Sequence, residues 1–201
     1  MKHLLLLAVL PWLTGCPRMQ EQEAVPLIHF QEANFGVRFS HTASLSTEYN
    51  PHGGANLVLI SWKGDPIGGL KVAPLPPEVG EEVFIAAGKQ HYREKYNASS
   101  VIYRLYRNQH GYSFHHIKAE ASLDGKAYVL NRFVHLERPT AARSNLPSLD
   151  DLFGAFSFEF VCRKEDSESV GQETMRVIDS FRIEKTADQE VPQANPTSRP
   201  K

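Results

Sequence analysis

The dipeptide Asp124-Gly125 lies between two long segments that we predict to be β-strands. Asp-Gly is among the strongest signals for a two-residue hairpin turn. The pattern therefore predicts an antiparallel pair of strands at 111–122 and 126–136, in which the numbers of opposed residues sum to roughly 249. Together with the strand pair at 100–107 and 111–122, this hairpin forms a meander, which favours a mainly antiparallel sheet.

The remaining periodic segments extend this sheet and add helices. We expect strands at 37–45, 56–62, 67–75, 100–107 and 154–163, a helix at 80–96, and a final helix capped by Ser167 or Ser169. The order is three strands, a helix, four strands and a helix. Since both helices need an apolar surface to cover, the sequence predicts an α+β sandwich, a mainly antiparallel sheet of about six to seven strands packed with two helices.

The amino-terminal segment has the features of an export signal. Residues 4–13 form an apolar run after a short positive start at Lys2, and the run is too short for the roughly 20 residues of a membrane-spanning helix. Leu13-Thr14-Gly15-Cys16 follows and resembles the lipobox at which bacterial lipoproteins are cut and lipidated. We expect a signal peptide at 1–15 and a lipid on Cys16; the alternative is an ordinary cleaved signal with an incidental cysteine.

A lipid on Cys16 has consequences for the cellular location of the protein and for its domain organisation. Two or more acyl chains give stable attachment, because each buried CH₂ contributes about 0.8 kcal/mol and one chain alone binds marginally. Pro17 stands where an aspartate favours retention in the inner membrane of enterobacteria-like hosts, so we expect the periplasmic side of the outer membrane. We expect the lipidated cysteine and a flexible tether at 16–27, one domain at 28–184, and a disordered tail at 185–201.

Charge and cysteine content exclude several classes of protein. The formal net charge of −1 offers no basic stripe for nucleic acid. With Cys16 lipidated, Cys162 has no partner for an internal disulfide. Cys162 alternates with Phe156, Phe158 and Phe160 on one predicted strand face, so we interpret it as a buried core residue rather than a catalytic thiol.

Two short motifs resemble the PsbP-like superfamily. Phe35-Gly36-Val37-Arg38-Phe39-Ser40-His41, followed by Ala43-Ser44-Leu45, is similar to the opening strand of that family, with Thr42 and Leu45 replacing the proline and the aromatic residue. Ile178-Asp179-Ser180-Phe181-Arg182-Ile183 is similar to the closing segment. The resemblance implies a PsbP-like α/β/α sandwich. Members of this superfamily mostly bind, stabilise or assemble partners and share no catalytic set, so no functional residue carries over.

Histidines are the remaining candidates for chemistry. His115 and His116 are adjacent on a predicted strand and must point to opposite faces, while His135 on the neighbouring strand lies near His115 in the predicted register. A His115–His135 pair with nearby His110 is too small a set for a zinc site, which needs a third or fourth ligand. We expect no metal, no cofactor and no enzymatic activity, since the sequence has no Gly-x-Ser-x-Gly, His-Glu-x-x-His or Cys-x-x-Cys motif.

The strand at 100–107 supplies a candidate interface. Tyr103 and Leu105 share one face, and Ile102, Arg104 and Tyr106 share the other. We expect one face to be core, while the other is either covered by a helix or exposed as an interface, since exposed Tyr and Arg are typical of interfaces.

These observations favour a membrane-anchored, non-enzymatic binding or assembly factor of the cell envelope. We expect a protein partner that docks on a sheet face, with Tyr103, Arg104 and Tyr106 as candidate interface residues, or on the long loop at 138–153. The alternative function is a carrier of a small apolar ligand in a cavity between sheet and helix.

Overall fold

The computed structural model describes residues 25–32, 35–50, 57–73, 79–137 and 154–184. The expected signal peptide, Cys16, most of the tether, the loop at 138–153 and the tail lie outside the described residues. The strands are β1 (Ile28–Glu32), β2 (Val37–His41), β3 (Leu45–Tyr49), β4 (Val58–Trp62), β5 (Asp65–Ala73), β6 (Ser100–Arg107), β7 (Ser113–Leu123), β8 (Lys126–Leu136), β9 (Ala155–Arg163) and β10 (Arg182–Ile183). The helices are α1 (Glu81–Tyr96) and α2 (Ser167–Ser180).

Seven strands form one antiparallel sheet in the order β3-β4-β5-β9-β8-β7-β6. The hairpin prediction is confirmed, because β7 and β8 pair with His115 opposite Val134, which gives the predicted sum. Both residues of the turn have positive φ, 51° at Asp124 and 73° at Gly125. This is the conformation that favours Asp-Gly in tight hairpins.

The two helices pack on opposite faces of the sheet. Tyr92 of α1 packs against a small buried cluster with Ile117, Ala119 and Leu130. The main core lies on the other face, where α2 and a second, three-stranded sheet (order β1-β2-β10) cover the phenylalanines of β9. We call these surfaces the α1 face and the α2 face. The predicted α+β class and helix–sheet–helix layering are confirmed.

Aromatic side chains hold the α2 face together. The Phe181 ring makes edge-to-face contacts with Phe114 and Phe158, with centroids 5.4 and 5.5 Å apart. Phe39 of β2 meets Phe158 edge-on at 5.7 Å. Phe39 and Phe181 belong to the two motifs that resemble the PsbP-like superfamily, and Ile183 pairs with Val37 in the small sheet. The motifs therefore mark residues that build the core and bring the two ends of the domain together.

The strand at 37–45 was predicted wrongly as one element. The chain turns after His41, because the Thr42 hydroxyl accepts the Ser44 N–H at 3.2 Å and the Leu45 N–H reaches the Thr42 carbonyl at 3.2 Å. This side-chain turn competes with continuation of the strand. It separates β2, in the small sheet, from β3, at the edge of the large one. Strands β1, β3 and β10 were not predicted as separate elements.

The expected serine cap of the last helix is also wrong. A 3-10 turn at Lys164–Asp166 leads into α2, and the N-cap residue Asp166 makes no side-chain capping bond. Ser167 is the first residue of α2, and its hydroxyl donates back to the Lys164 carbonyl at 2.7 Å. The apolar face of α2 follows the predicted spacing, with Val170, Val177 and Ile178 buried.

Candidate interaction site at strand β6 and helix α2

Strand β6 is the edge of the large sheet, and within the part of the chain that the structure describes no strand pairs with its outer side. The Asn108 N–H donates to the Tyr112 carbonyl at 3.0 Å, which marks this opposed pair as hydrogen-bonded. Hydrogen-bonded pairs alternate along an antiparallel ladder. The even-numbered residues of β6 therefore bond to β7, and the odd-numbered residues direct their N–H and C=O groups outward.

The expectation that one face of β6 is core is wrong. Three large apolar side chains are exposed, with Ile102 at 58%, Tyr103 at 37% and Leu105 at 62% relative exposure. Ile102 lies on the α2 face, and Tyr103 and Leu105 lie on the α1 face. An edge strand lies at the rim of both helix layers, so neither face of β6 is covered fully. Of the predicted interface residues, Tyr103 and Arg104 are exposed and Tyr106 is half-buried.

The α1 face of β6 carries a polar chain of contacts. Tyr103 and the His115 Nδ1 are hydrogen-bonded at 3.0 Å, and the His115 Nε2 lies 3.2 Å from Glu81 at the start of α1. The Lys89 ammonium lies 4.4 Å from the centre of the Tyr103 ring. Burial lowers the pKa of His115, and the Glu81 carboxylate opposes that shift. These contacts join α1 to the edge strand.

An open groove of about 600 Å³ runs between α2 and strands β6–β8 on the α2 face. Arg104, His116 and Lys118 lie on its sheet side, and Met175 and Asp179 lie on its helix side. Charged and polar side chains are mixed with apolar ones. Such a lining fits a polar or amphiphilic ligand better than the small apolar ligand of the alternative carrier function.

His116 is buried on the floor of this groove and fixes Arg104. Its ring stacks on Phe133, with centroids 4.0 Å apart. The Arg104 Nε–H donates to the His116 Nδ1 at 2.8 Å, so that nitrogen must be unprotonated and the proton must lie on Nε2. The Nε2–H then donates to the Asn131 Oδ1 at 3.0 Å. Burial lowers the pKa of His116 to about 4, and the neutral imidazole orients the arginine.

Tyr106 ties the edge strand to the second helix. Its hydroxyl donates to the Asp179 carboxylate near the end of α2. Burial and this hydrogen bond raise the pKa of Tyr106 to about 12. Tyr106 therefore connects β6 with α2, and it is less exposed than Tyr103 and Arg104, the other two predicted interface residues.

The predicted proximity of His115 and His135 does not make them a pair on one face. His115 lies on the α1 face opposite Val134, while His135 lies on the α2 face, where its Nδ1 contacts the Ser113 carbonyl at 3.0 Å. Odd positions on β7 and even positions on β8 share a face in this register, so the two rings point to opposite sides. Within the described residues, no three His, Cys, Asp or Glu side chains are grouped to hold a metal ion.

Cys162 is buried at the end of the aromatic strand face, as predicted. Its thiol donates to the Val129 carbonyl at 3.9 Å, and burial raises its pKa. A buried thiol with a raised pKa is a poor nucleophile.

Sequence patterns did not reveal the groove or the free edge. The strands and their alternation were predicted, but the order of strands across the sheet sets which one lies at the edge. The groove arises from the distance between α2 and β6–β8. The one signal that pointed to it was the Ile102, Arg104 and Tyr106 face of β6, where apolar, cationic and aromatic residues share one side.

The fold has relatives among solved structures. The chain is similar to the crystal structure of LpqN, involved in cell envelope biogenesis of Mycobacterium tuberculosis, with a TM-score of 0.55, 9% identity, and coverage of 80% of this chain and 91% of LpqN. It is also similar to the solution structure of the cyanobacterial PsbP, CyanoP, from Synechocystis, with a TM-score of 0.48, 9% identity, and coverage of 86% and 99%. No protein-family model and no curated protein sequence matches the chain.

The LpqN similarity shows a shared α+β fold. Neither described helix is long and apolar enough to cross a bilayer.

The depressed pKa of His116 predicts a loss of stability in mild acid. The unfolded state binds this proton below about pH 6.5 and the folded state only below about pH 4, so folding stability falls as the pH decreases between these values. The shift corresponds to about 3 kcal/mol. We expect His116→Phe, which keeps a ring against Phe133, to reduce the pH dependence of the unfolding free energy by about this amount.

The measurement is denaturant unfolding between these two pH values, with His110→Phe in the exposed turn as the matched control for loss of a histidine. Proton NMR of the His116 ring gives the pKa directly. A ring that titrates at the ordinary value near pH 6.5 contradicts the assignment of a buried neutral imidazole.

Proposed function

We propose that this protein is an exported, lipid-anchored and non-enzymatic binding factor of the cell envelope that receives an extended segment of a partner protein on strand β6. The observation that carries the proposal is the outer side of β6, with which none of the described strands pairs, and its exposed Ile102, Tyr103 and Leu105. LpqN, which has the same fold, is involved in cell envelope biogenesis. The lipobox-like segment at 13–16 supports the exported location and the anchor.

Strand addition is supported by the backbone of β6. Val101, Tyr103, Leu105 and Arg107 direct N–H and C=O groups outward, which offers a peptide a row of alternating donors and acceptors. Natural edge strands are protected by proline, bulges or charged side chains, lysine above all. Strand β6 has no proline and no lysine and keeps a continuous register with β7 from Ser100 to Arg107, and its two arginines attract a strand that carries a carboxylate. Such an edge is suited to pairing.

The side chains of β6 favour a heterologous segment. Exposed apolar residues lie on both faces, so an added strand finds Ile102 on one side and Tyr103 and Leu105 on the other. Arg104 and Arg107 add positive charge to the same edge. A segment with apolar residues and a carboxylate therefore matches β6 better than a second copy of the same basic strand.

The strand-addition model predicts a specific effect of proline at position 105. The Leu105 N–H points outward, so Leu105→Pro removes a donor to the added strand and leaves the β6–β7 ladder complete. A photo-crosslinking residue at Ile102, in cells that carry the native envelope, is expected to give a discrete protein adduct that disappears in Leu105→Pro. Leu105→Thr keeps the N–H and is expected to retain the adduct.

A crosslinker at Val83 is the matched control for exposure, because this α1 side chain is 63% exposed and Ile102, the crosslinking position, is 58% exposed. The same adduct from position 83, or an adduct that persists in Leu105→Pro, contradicts docking by strand addition. An adduct of twice the monomer mass assigns the edge to a second copy and overturns the heterologous partner.

The proposed anchor makes a separate prediction. Cells that express the full chain are labelled with radioactive palmitate, and the protein is expected to carry label that Cys16→Ala removes. Cys162→Ala is the matched control, because that thiol is buried in the fold, and its label is expected to be unchanged. Equal labelling of the wild-type and Cys16→Ala proteins refutes the anchor.

A further inference from the structure

The groove beside α2 has the size of a small-molecule site and lies apart from the outer side of β6. Its volume of about 600 Å³ is within the range of ligand pockets. Buried Val129 and Phe133 form the apolar part of its floor, and Met175 of α2 adds a half-buried apolar side chain. A ligand in this groove would contact both the sheet and the helix.

Arg104 presents an oriented cation to the groove. Its Nε–H is held by His116, a neutral ring rather than a carboxylate. Within the described part of the chain, its two terminal nitrogens have no hydrogen-bond acceptor and no ion-pair partner. The His116–Asn131 contact fixes the imidazole in turn. The geometry leaves a preorganised guanidinium edge, which is the group that binds carboxylate and phosphate with two parallel hydrogen bonds.

Lys118 places a second cation beside the first. Arg104 is opposite His116, and Lys118 is two residues farther along β7 on the same face. Such diagonal neighbours are about 7–8 Å apart at the backbone. Lys118 also lines the groove and forms no ion pair within the described ranges. Two neighbouring cations repel each other, and an anion between them removes that repulsion.

The other charged groups of the groove are engaged or lie at its ends. Asp179 accepts the Tyr106 hydroxyl, and Arg176 lies 3.4 Å from Glu173. Glu168 is in the first turn of α2, where a carboxylate interacts favourably with the helix dipole. The cations without a carboxylate partner are therefore Arg104 and Lys118.

We propose that this groove binds a small organic anion, with its carboxylate or phosphate group between Arg104 and Lys118 and its apolar part against Met175 and the floor of the groove. His116 acts as a positioning residue, because it orients the guanidinium through Nδ1 and need not touch the ligand. The site shares the side chain of Arg104 with the edge of β6, whereas strand addition uses the outward backbone groups of β6.

The probes are inorganic phosphate and octanoate, added separately to the full chain without its signal peptide and measured by isothermal titration calorimetry. We expect saturable binding of at least one of them, together with a shift of the Arg104 Nε–H resonance in nitrogen–proton NMR spectra. Phosphate alone identifies a phosphate site, and octanoate alone identifies a site for a carboxylate with an apolar tail. Arg104→Met and Lys118→Met are each expected to weaken the affinity at least about tenfold.

Gly171 gives a variant that fills the groove. It lies on the groove side of α2, and a Cβ built there has no heavy atom within 4 Å. Gly171→Phe is therefore expected to fold and to abolish binding. Arg107→Met, which removes the same charge from the same strand but outside the groove, is the control and is expected to bind normally.

Three results overturn the proposal. They are no saturable binding of either probe, affinity that is unchanged in Arg104→Met and Lys118→Met, and equal loss in Arg107→Met, which assigns the effect to net charge. Circular dichroism and melting temperature show that each variant is folded before its affinity is compared.

Discussion

Both candidate surfaces depend on the side chain of Asn108, which connects the β6–β7 turn to the end of α2. It is buried at the turn between β6 and β7, and its amide nitrogen donates to the carbonyls of Ile178 and Phe181 at 2.9 and 2.8 Å. Its Oδ1 accepts the N–H groups of His110 and Tyr112 at 3.0 and 2.9 Å. One side chain thus shapes the edge hairpin and donates to two carbonyls at the end of α2, where the helix itself leaves carbonyls unsatisfied.

The hydrogen bonds of Asn108 hold the end of α2 close to the edge of the sheet. Phe181 follows α2 directly and inserts into the aromatic core between Phe114 and Phe158. From Phe181, α2 runs back across the sheet. Near this end of the helix, Asp179 accepts the hydroxyl of Tyr106 from β6. Farther from Asn108, the groove opens between α2 and the sheet residues Arg104, His116 and Lys118.

The sequence allowed prediction of what depends on local pattern. The Asp124-Gly125 turn predicted the β7–β8 register, and the alternation along residues 156–162 placed Cys162 and the β9 phenylalanines in the core. The break after His41 was missed, because it depends on one hydroxyl–backbone contact within an alternating run. The resemblance carried by the motifs at 35–45 and 178–183 implied the layering of helix, sheet and helix, but not that the two motifs meet in a second sheet.

The candidate site was only half predictable for a different reason. The sequence indicated three candidate interface residues, Tyr103, Arg104 and Tyr106. Their individual structural roles depend on contacts with residues that are distant in sequence. Tyr106 contacts Asp179 across 73 positions, and Arg104 is held by His116 from the neighbouring strand. Long-range contacts of this kind have no periodic signal in the sequence. Strand order, which leaves β6 at the edge, is likewise a property of the whole sheet.

Residue-resolved hydrogen exchange on β6 tests the central claim most directly, because strand addition protects one set of amides and leaves the other unchanged. In the free protein the amides of Val101, Tyr103 and Leu105 are expected to exchange fast, and those of Ile102, Arg104 and Tyr106 slowly. In the complex isolated from the envelope, both sets are expected to exchange slowly. Odd-numbered amides that still exchange fast in that complex would contradict docking on the outer side of β6.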